Sequence, residues 1–141
     1  MDSKEARLSR DVAIGCAARL DGCARLIRAT FRDPQAHKCL LACGHAVVGL
    51  GAVIDTITRS FPELAPTDAE WARIELELGG GGDIELDGSP RARLLLDIGA
   101  VEDRVLSIRA MTSELAPEVS EVLTRLGNLA KVIDRAWVVE S

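Results

Sequence analysis

Aromatic residues are scarce in this chain: its 141 residues include two Trp, two Phe and no Tyr. Bases and sugars commonly stack on aromatic side chains, so the scarcity disfavours recognition of single-stranded nucleic acid. The net charge of −5 disfavours nonspecific nucleic-acid binding as well, since phosphates attract cationic proteins. We therefore expect no nucleic-acid partner. We also expect an aliphatic core, a composition that suits closely packed helices, because strands draw on aromatic as well as β-branched residues.

Several marks of compartment and chemistry are also missing. No succession of charged, apolar and small-residue regions opens the sequence, so we expect no secretory signal. The four Cys include no Cys-x-x-Cys pair, which indicates reduced cytosolic thiols in a chain long enough to build a core. No Ser-His-Asp order, HExxH or GxSxG pattern occurs, and the four glycines at 79–82 lack the Lys-Ser/Thr of a phosphate loop. These absences predict a cytoplasmic, non-enzymatic protein with no catalytic residue, metal or cofactor.

Charge is absent from the sixteen residues between Lys38 and Asp55. The run is too short and too rich in Gly for a membrane span, so we expect no membrane partner. Its apolar residues follow neither one helical stripe nor a strand alternation, which predicts an element covered on most sides. We expect a helix from about Pro34 to Phe61, with Asp33 as its N-cap, that is the most buried element of the fold. The predicted core row of this helix is Leu40, Val47, Ile54 and Phe61, thickened by Leu41, Val48 and Leu50.

Helical periodicity organises most of the remaining sequence. Apolar residues recur at steps of three and four over about 4–32, with arginines on the opposite side. Pro90, after a capping Ser89, and Pro117 begin helices at about 90–112 and 117–139. The first helix places Leu8, Val12, Cys16, Leu20, Cys23, Ile27 and Phe31 towards the core, and Arg7, Arg10, Arg25, Arg28 and Arg32 away from it. The core rows of the last two are Leu94, Ile98, Val101, Val105 and Ile108, then Val119, Val122, Leu126, Leu129, Ile133 and Trp137.

The stretch 72–87 permits two interpretations. Thr67 and Glu70 have the spacing of a capping box, which predicts a short helix at 68–78 followed by an acidic Gly-rich loop at about 79–89. Period-two alternation at 74–78 and 83–87 would instead suit a hairpin. We favour the helix because of its cap, although two strands remain an alternative. The sequence therefore predicts an all-α bundle of four principal helices plus a short helix, in one domain spanning 1–141.

The two charge types are unevenly distributed. Residues 1–38 carry eight Lys or Arg against five acids, whereas residues 63–103 carry eleven acids against three Arg. Such asymmetry favours attraction between two parts of one fold or between subunits. We interpret the arginine stripe of the first helix as a solvated face, or as one paired with the acidic region.

The cysteines allow a thiol-site hypothesis. Cys16 and Cys23 share one stripe of the first helix, and Cys39 and Cys43 share one of the second. In an antiparallel hairpin of these helices, facing thiolates of Cys23 and Cys43 could bind a soft metal such as Cu(I) or Zn, or form a redox site. Cys16 and Cys23 lie in the middle of the apolar face, where free Cys behaves as a small hydrophobe. We therefore favour structural thiols.

A short motif occupies residues 36–44 (AHKCLLACG) and 49–52 (GLGA). It resembles the motif of histidine phosphotransfer domains, which are acidic four-helix bundles of bacterial signalling. The resemblance implies a signalling module that uses His37. The family's Lys and Gly, three and four residues after the phosphorylated His, are Leu40 and Leu41 here, so a phosphoryl group would lack access and charge compensation. The Gly-Ala pair also comes about one helical turn late.

The second helix also supplies the leading functional hypothesis. We interpret His45 as a core or interface histidine, since no acid lies three or four residues away to orient it. Four helices need not cover every side of an uncharged helix, so its Gly-rich face is the best candidate for a dimer seam. We expect an interaction protein that binds a protein partner or a second copy of itself as a homodimer. The interface candidates are Gly44, Val48, Gly49, Gly51 and Ala52.

Overall fold

The computed structural model describes residues 1–78 and 89–140, and these ranges form five α-helices and no strand. The predicted all-α bundle of four long helices and a short one is confirmed. The predicted acidic loop lies outside the described residues, apart from Ser89, which caps a helix. The helices are α1 (Ser3–Thr30), α2 (Gln35–Ser60), α3 (Asp68–Leu78), α4 (Pro90–Met111) and α5 (Ala116–Glu140), and short 3₁₀ turns occupy Pro62–Leu64 and Ser113–Leu115.

Side-chain caps explain where two of the predicted helices begin. The amide of Glu70 donates to Thr67 Oγ1 (3.1 Å) and the Thr67 amide donates to the Glu70 carboxylate (3.4 Å), which is the predicted capping box. Ser89 Oγ accepts from the Ala92 amide in the same manner at the start of α4. The predicted Asp33 cap is wrong, because Pro34 occupies the N-cap position of α2 without a side-chain bond. A strand at 74–78 is excluded, since those residues lie within α3.

The four long helices form a closed ring. α1 packs against α2, α2 against α5, α5 against α4, and α4 against α1, so that α2 and α4 lie on opposite corners. The short α3 packs on α1. Three helices therefore cover α1, whereas two cover α2. The prediction that the uncharged helix is the most buried element is wrong, because α1 has more buried residues and no other helix among residues 1–78 and 89–140 covers one side of α2.

The inward sides of α4 and α5 agree with the predicted rows, apart from a half-buried Trp137.

The observed buried side of α2 is rotated about the helix axis relative to the predicted core row. Leu41 and Val48, expected in the core, are 54% and 64% exposed, and Leu40 and Val47 are only half-buried. The buried residues that face the core are Ala36, Cys39, Cys43, Ala46, Leu50, Val53, Ile54 and Ile57, so Leu50 and Ile54 lie in the core as predicted.

One arginine of the predicted solvent stripe is buried. Arg10 is 1% exposed, and its guanidinium donates to the Leu64 carbonyl (2.9 Å) and pairs with Asp11 (2.8 Å) and Glu70 (2.9 Å). The Thr67 amide and the Arg10 charge hold the pKa of Glu70 below its usual range. Arg10 thus joins α1 to the turn after α2 and to α3. The pairing with Glu70 is of the kind expected between the arginine stripe and the acidic region.

Candidate interaction surface

The uncovered side of α2 carries an apolar surface, which we call the α2 outer face. At about 100° per residue its members occupy an arc of roughly 100° centred on Val48. All of them are exposed, and Leu41 and Val48 present over half of their side-chain area to solvent. The face comprises Leu41, Gly44, His45, Val48 and Ala52.

Small residues make the α2 outer face shallow. A Cβ added at Gly44 or at the half-buried Gly51 would meet no atom within 4 Å, so neither glycine is required by contacts within the chain. Gly49 differs, because it is buried and an added Cβ would lie 3.1 Å from Val122 Cγ2 of α5. Of the predicted interface residues, Gly44, Val48 and Ala52 therefore lie on the open face and Gly51 at its edge. Gly49 serves the packing of α2 on α5.

Charged residues border the α2 outer face along its junction with α5. Arg125 of α5 donates to the His45 carbonyl (2.8 Å) and to Glu121 (2.9 Å), which anchors the middle of the border. Thr56 donates to Glu118 (3.2 Å) near the C-terminal end of α2, and Cys39 lies against the Val132 carbonyl (3.9 Å) near its N-terminal end. α2 and α5 are therefore antiparallel, and these contacts fix which charged residues of α5 lie beside each part of α2.

The border is basic at one end and acidic at the other. Exposed cations surround the N-terminal end of α2, and carboxylates surround its C-terminal end. Three groups break the pattern: Glu140 at the basic end, which accepts from the Arg32 amide, Arg125, which is already paired with Glu121, and Arg59, one turn beyond Asp55. The basic group is Lys38 and Arg135, and the acidic group is Asp55, Glu118 and Glu121.

The four thiols all lie in the core and point to different neighbours. Cys43 Sγ donates to the Leu20 carbonyl of α1 (3.4 Å), whereas Cys39 Sγ lies against Val132 of α5. Within residues 1–78 and 89–140, no group of three or more His, Cys, Asp or Glu side chains is arranged to hold a metal ion. The structure therefore does not assemble the thiol-site candidates into one ligand set.

Burial also keeps these thiols protonated. Loss of hydration raises the pKa of Cys16 and of Cys43 to about 11, and it raises the pKa of Cys23 to about 12 with smaller contributions from Asp97 and Cys43. The pKa of Cys39 is raised for the same reason. The thiolate is the form that attacks electrophiles and binds metals. At neutral pH these groups therefore act as small core hydrophobes.

Both histidines are exposed on α2. His37 lies in the first turn with the exposed Lys38 and Leu41 near it, and Leu40 is half-buried beside them. The apolar side chains thus stand where a phosphotransfer site would need a cation and a small residue. His45 lies two turns further on, in the α2 outer face, so it is not a core histidine.

A cleft of about 400 Å³ opens where α1 and α5 end, and it is the other concave feature of interest. Phe31 and Trp137 form its aromatic wall, with their rings edge to face at 6.4 Å. Two of its three side-chain polar groups are bonded within the protein, since Thr30 donates to the Leu26 carbonyl and Glu140 accepts from the Arg32 amide, and the third is the indole N–H of Trp137. The lining is therefore mainly apolar and aromatic, with few polar groups to orient a ligand. Its lining comprises Ala29, Thr30, Phe31, Pro90, Trp137 and Glu140.

By length and composition α2 could cross a membrane, and it is the one helix in the described part of the chain that meets this test. Core helices of soluble proteins meet it as well, and the bundle buries 39% of the most apolar 18-residue window of α2. The composition of α2 is therefore weak evidence for a span.

Comparison with known proteins adds no relative. No protein-family model, no curated protein and no solved structure matches this chain. The exposed residues of the bundle therefore carry the functional argument by themselves.

Proposed function

We propose that this protein is a non-enzymatic, cytoplasmic interaction module that binds another protein chain through the α2 outer face. The supporting observation is the exposure of Leu41 and Val48 on a surface with no charge between Lys38 and Asp55. A contiguous apolar patch rimmed by polar groups is typical of protein–protein contact sites. A partner surface of apolar side chains would remove this patch from water.

The chemistry of the described residues favours binding over catalysis. The thiols are buried and protonated, the two histidines stand two turns apart at the surface, and His45 has no acid three or four residues away. An active site usually combines a concave pocket with convergent polar groups of perturbed pKa. The α2 outer face is instead shallow and apolar, which suits a second helix lying across it.

Photo-crosslinking tests the proposal directly. Benzoylphenylalanine placed at Val48 should give a covalent adduct with a protein in the cells that make this chain, because that position is then covered. The matched control is Ser107, exposed on α4 at the opposite corner of the ring from α2, where we expect little adduct. Equal adduct formation at the two positions, or none at either, would contradict the proposed function. The mass of the adduct shows whether the partner is a second copy or another protein.

A further inference from the structure

We infer that the α2 outer face binds α2 of a second copy of this chain, with the two helices antiparallel. This inference rests on the proposed function and specifies its partner. The face is self-complementary in shape, since it combines Leu41 and Val48, which project, with Gly44 and Ala52, which do not. A twofold axis across the face can place Leu41 of one copy opposite Ala52 of the other, a large residue against a small one.

The charge of the border selects the orientation. Antiparallel pairing brings the basic group of one copy (Lys38, Arg135) to the acidic group of the other (Asp55, Glu118, Glu121). Parallel pairing would bring like charges together at both ends. The helix macrodipoles add to the same preference, because the positive N-terminus of each α2 then lies near the negative C-terminus of its partner.

Lys38 and Asp55 give a specific register. If Lys38 of one copy lies opposite Asp55 of the other, the twofold axis passes midway between residues 46 and 47. Leu41 then faces the partner's Ala52, and His45 faces the partner's Val48. The Leu41–Ala52 pair sets a large residue against a small one at both ends of the contact, and the two His45–Val48 pairs occupy its middle.

The size of the face predicts a modest affinity. Leu41 and Ala52 are about 16 Å apart along the helix, and one helix face is about 10 Å wide. Stable dimers usually bury about 800 Å² on each partner, so α2 alone supplies too little area. The charged border from α5 has to lie within the contact, which is why the orientation depends on it.

Disulfide trapping tests the orientation. Leu41→Cys and Ala52→Cys are made as separate variants, mixed in equal amounts and oxidised with copper–phenanthroline, with the wild-type chain as the control for its four buried thiols. Both sites are exposed, so we expect both variants to fold, which circular dichroism checks. The expected product is the mixed dimer linked between position 41 of one copy and position 52 of the other. Homodimeric links are excluded in that arrangement, because positions that are about 16 Å apart cannot form a disulfide.

The alternative outcomes separate this inference from the proposed function. Homodimeric 41–41 and 52–52 links would overturn the antiparallel orientation. No linkage above that of the wild-type chain would overturn the second copy as occupant. If the benzoylphenylalanine adduct at Val48 then contains another protein, the proposed function stands and only the inference fails. If Val48 gives no adduct, both fail.

Discussion

α2 and α5 are neighbours in the ring and nearly equal in length, at 26 and 25 residues. Each presents one side to the core and one to the exterior. The exterior of α5 is polar over its first five turns: Ser120, Thr124, Asn128, Lys131 and Arg135 are all exposed. The α2 outer face has no charge over the same length. The exterior of α5 carries the polar side chains expected of a surface in contact with water, and the α2 outer face lacks charged ones.

The helices also differ in how they use glycine. Gly127 of α5 and Gly44 of α2 both stand where an added Cβ would meet nothing within 4 Å, yet Gly127 is half-buried and Gly44 is exposed. Gly in a helix interior costs about 1 kcal/mol relative to Ala, and the structure shows no contact within the chain that offsets this cost at Gly44. The comparison indicates that α2 is shaped for a neighbour outside the monomer, whereas α5 is shaped for the bundle and for water.

A charge introduced on the α2 outer face should have the largest effect on self-association. Val48→Arg should weaken self-association at least about 100-fold, or about 2.8 kcal/mol, because a twofold contact then buries two cations near its centre, each against the partner's His45. Ser107→Arg adds the same charge to α4, at the opposite corner of the ring, and should change the dissociation constant less than about twofold. Both are surface substitutions, so the free energy of unfolding should stay within about 0.5 kcal/mol of the wild type.

Sedimentation equilibrium measures the association of these variants, and urea denaturation of dilute protein checks the monomer. Equal weakening by both substitutions would indicate a general charge effect. No weakening by Val48→Arg would remove the α2 outer face from the contact.

The same contrast explains what the sequence could and could not predict. In α5, polar residues mark the outer side, so the inward row was predictable from periodicity. In α4 the regular step of the apolar row was enough, although Leu96 and Leu106 are exposed. In α2 every side of the central run is uncharged, so no residue marks the exterior, and the predicted row was rotated towards Leu40 and Val47. The outer face became visible only once the ring left one side of α2 uncovered.

Arg10 shows a second limit of prediction. It lies in the same helical band as the exposed arginines of α1, and its spacing does not distinguish it from them. Its burial follows from α3 and the turn at Leu64 crossing α1 at that level. The acidic composition of the 63–103 region was compatible with such a pairing, but it did not identify which arginine would make it.

The inner faces of α2 and α5 should respond differently to alkaline pH, because only the inner face of α2 carries cysteines. The inner face of α2 carries Cys39 and Cys43, whereas α5 carries no Cys. Unfolded thiols lose their protons near pH 9, while the folded pKa of Cys16, Cys23 and Cys43 is about 11, 12 and 11. Between these values the unfolded chain binds fewer protons, so the free energy of unfolding should fall as pH rises, by at most about 1.4 kcal/mol per pH unit for each thiol.

Urea denaturation at pH 7, 9 and 10 tests this dependence. Cys43→Ala should be less stable at neutral pH but should show a shallower alkaline decline, because one of the shifted protons is gone. An unchanged slope in that variant would show that Cys43 ionises as readily in the fold as in the unfolded chain.

Adding a methyl group probes the approach of the partner backbone. Gly44→Ala should raise the free energy of unfolding of the monomer by about 1 kcal/mol through helix propensity, as should Gly127→Ala on α5. Only Gly44→Ala should weaken association, by roughly fivefold (about 1 kcal/mol), because the methyl group would hold the paired helices apart. Sedimentation equilibrium measures association and urea denaturation measures the free energy of unfolding. Equal association of the two variants would show that no backbone approaches Gly44.

Salt gives the smallest effect, and its sign reports on the orientation. The antiparallel pair joins opposite charges, so raising NaCl from about 0.05 to 0.5 M should weaken association by about two- to threefold, since screening shortens the reach of exposed charges. A parallel pair joins like charges, and the same titration would strengthen it. Lys38→Glu should weaken the dimer at low salt, and the double variant with Asp55→Lys should recover it, because both copies then carry the reversed pair. If the double variant does not regain association at low salt, Lys38 and Asp55 do not meet in the dimer, whatever other contact holds the two copies together.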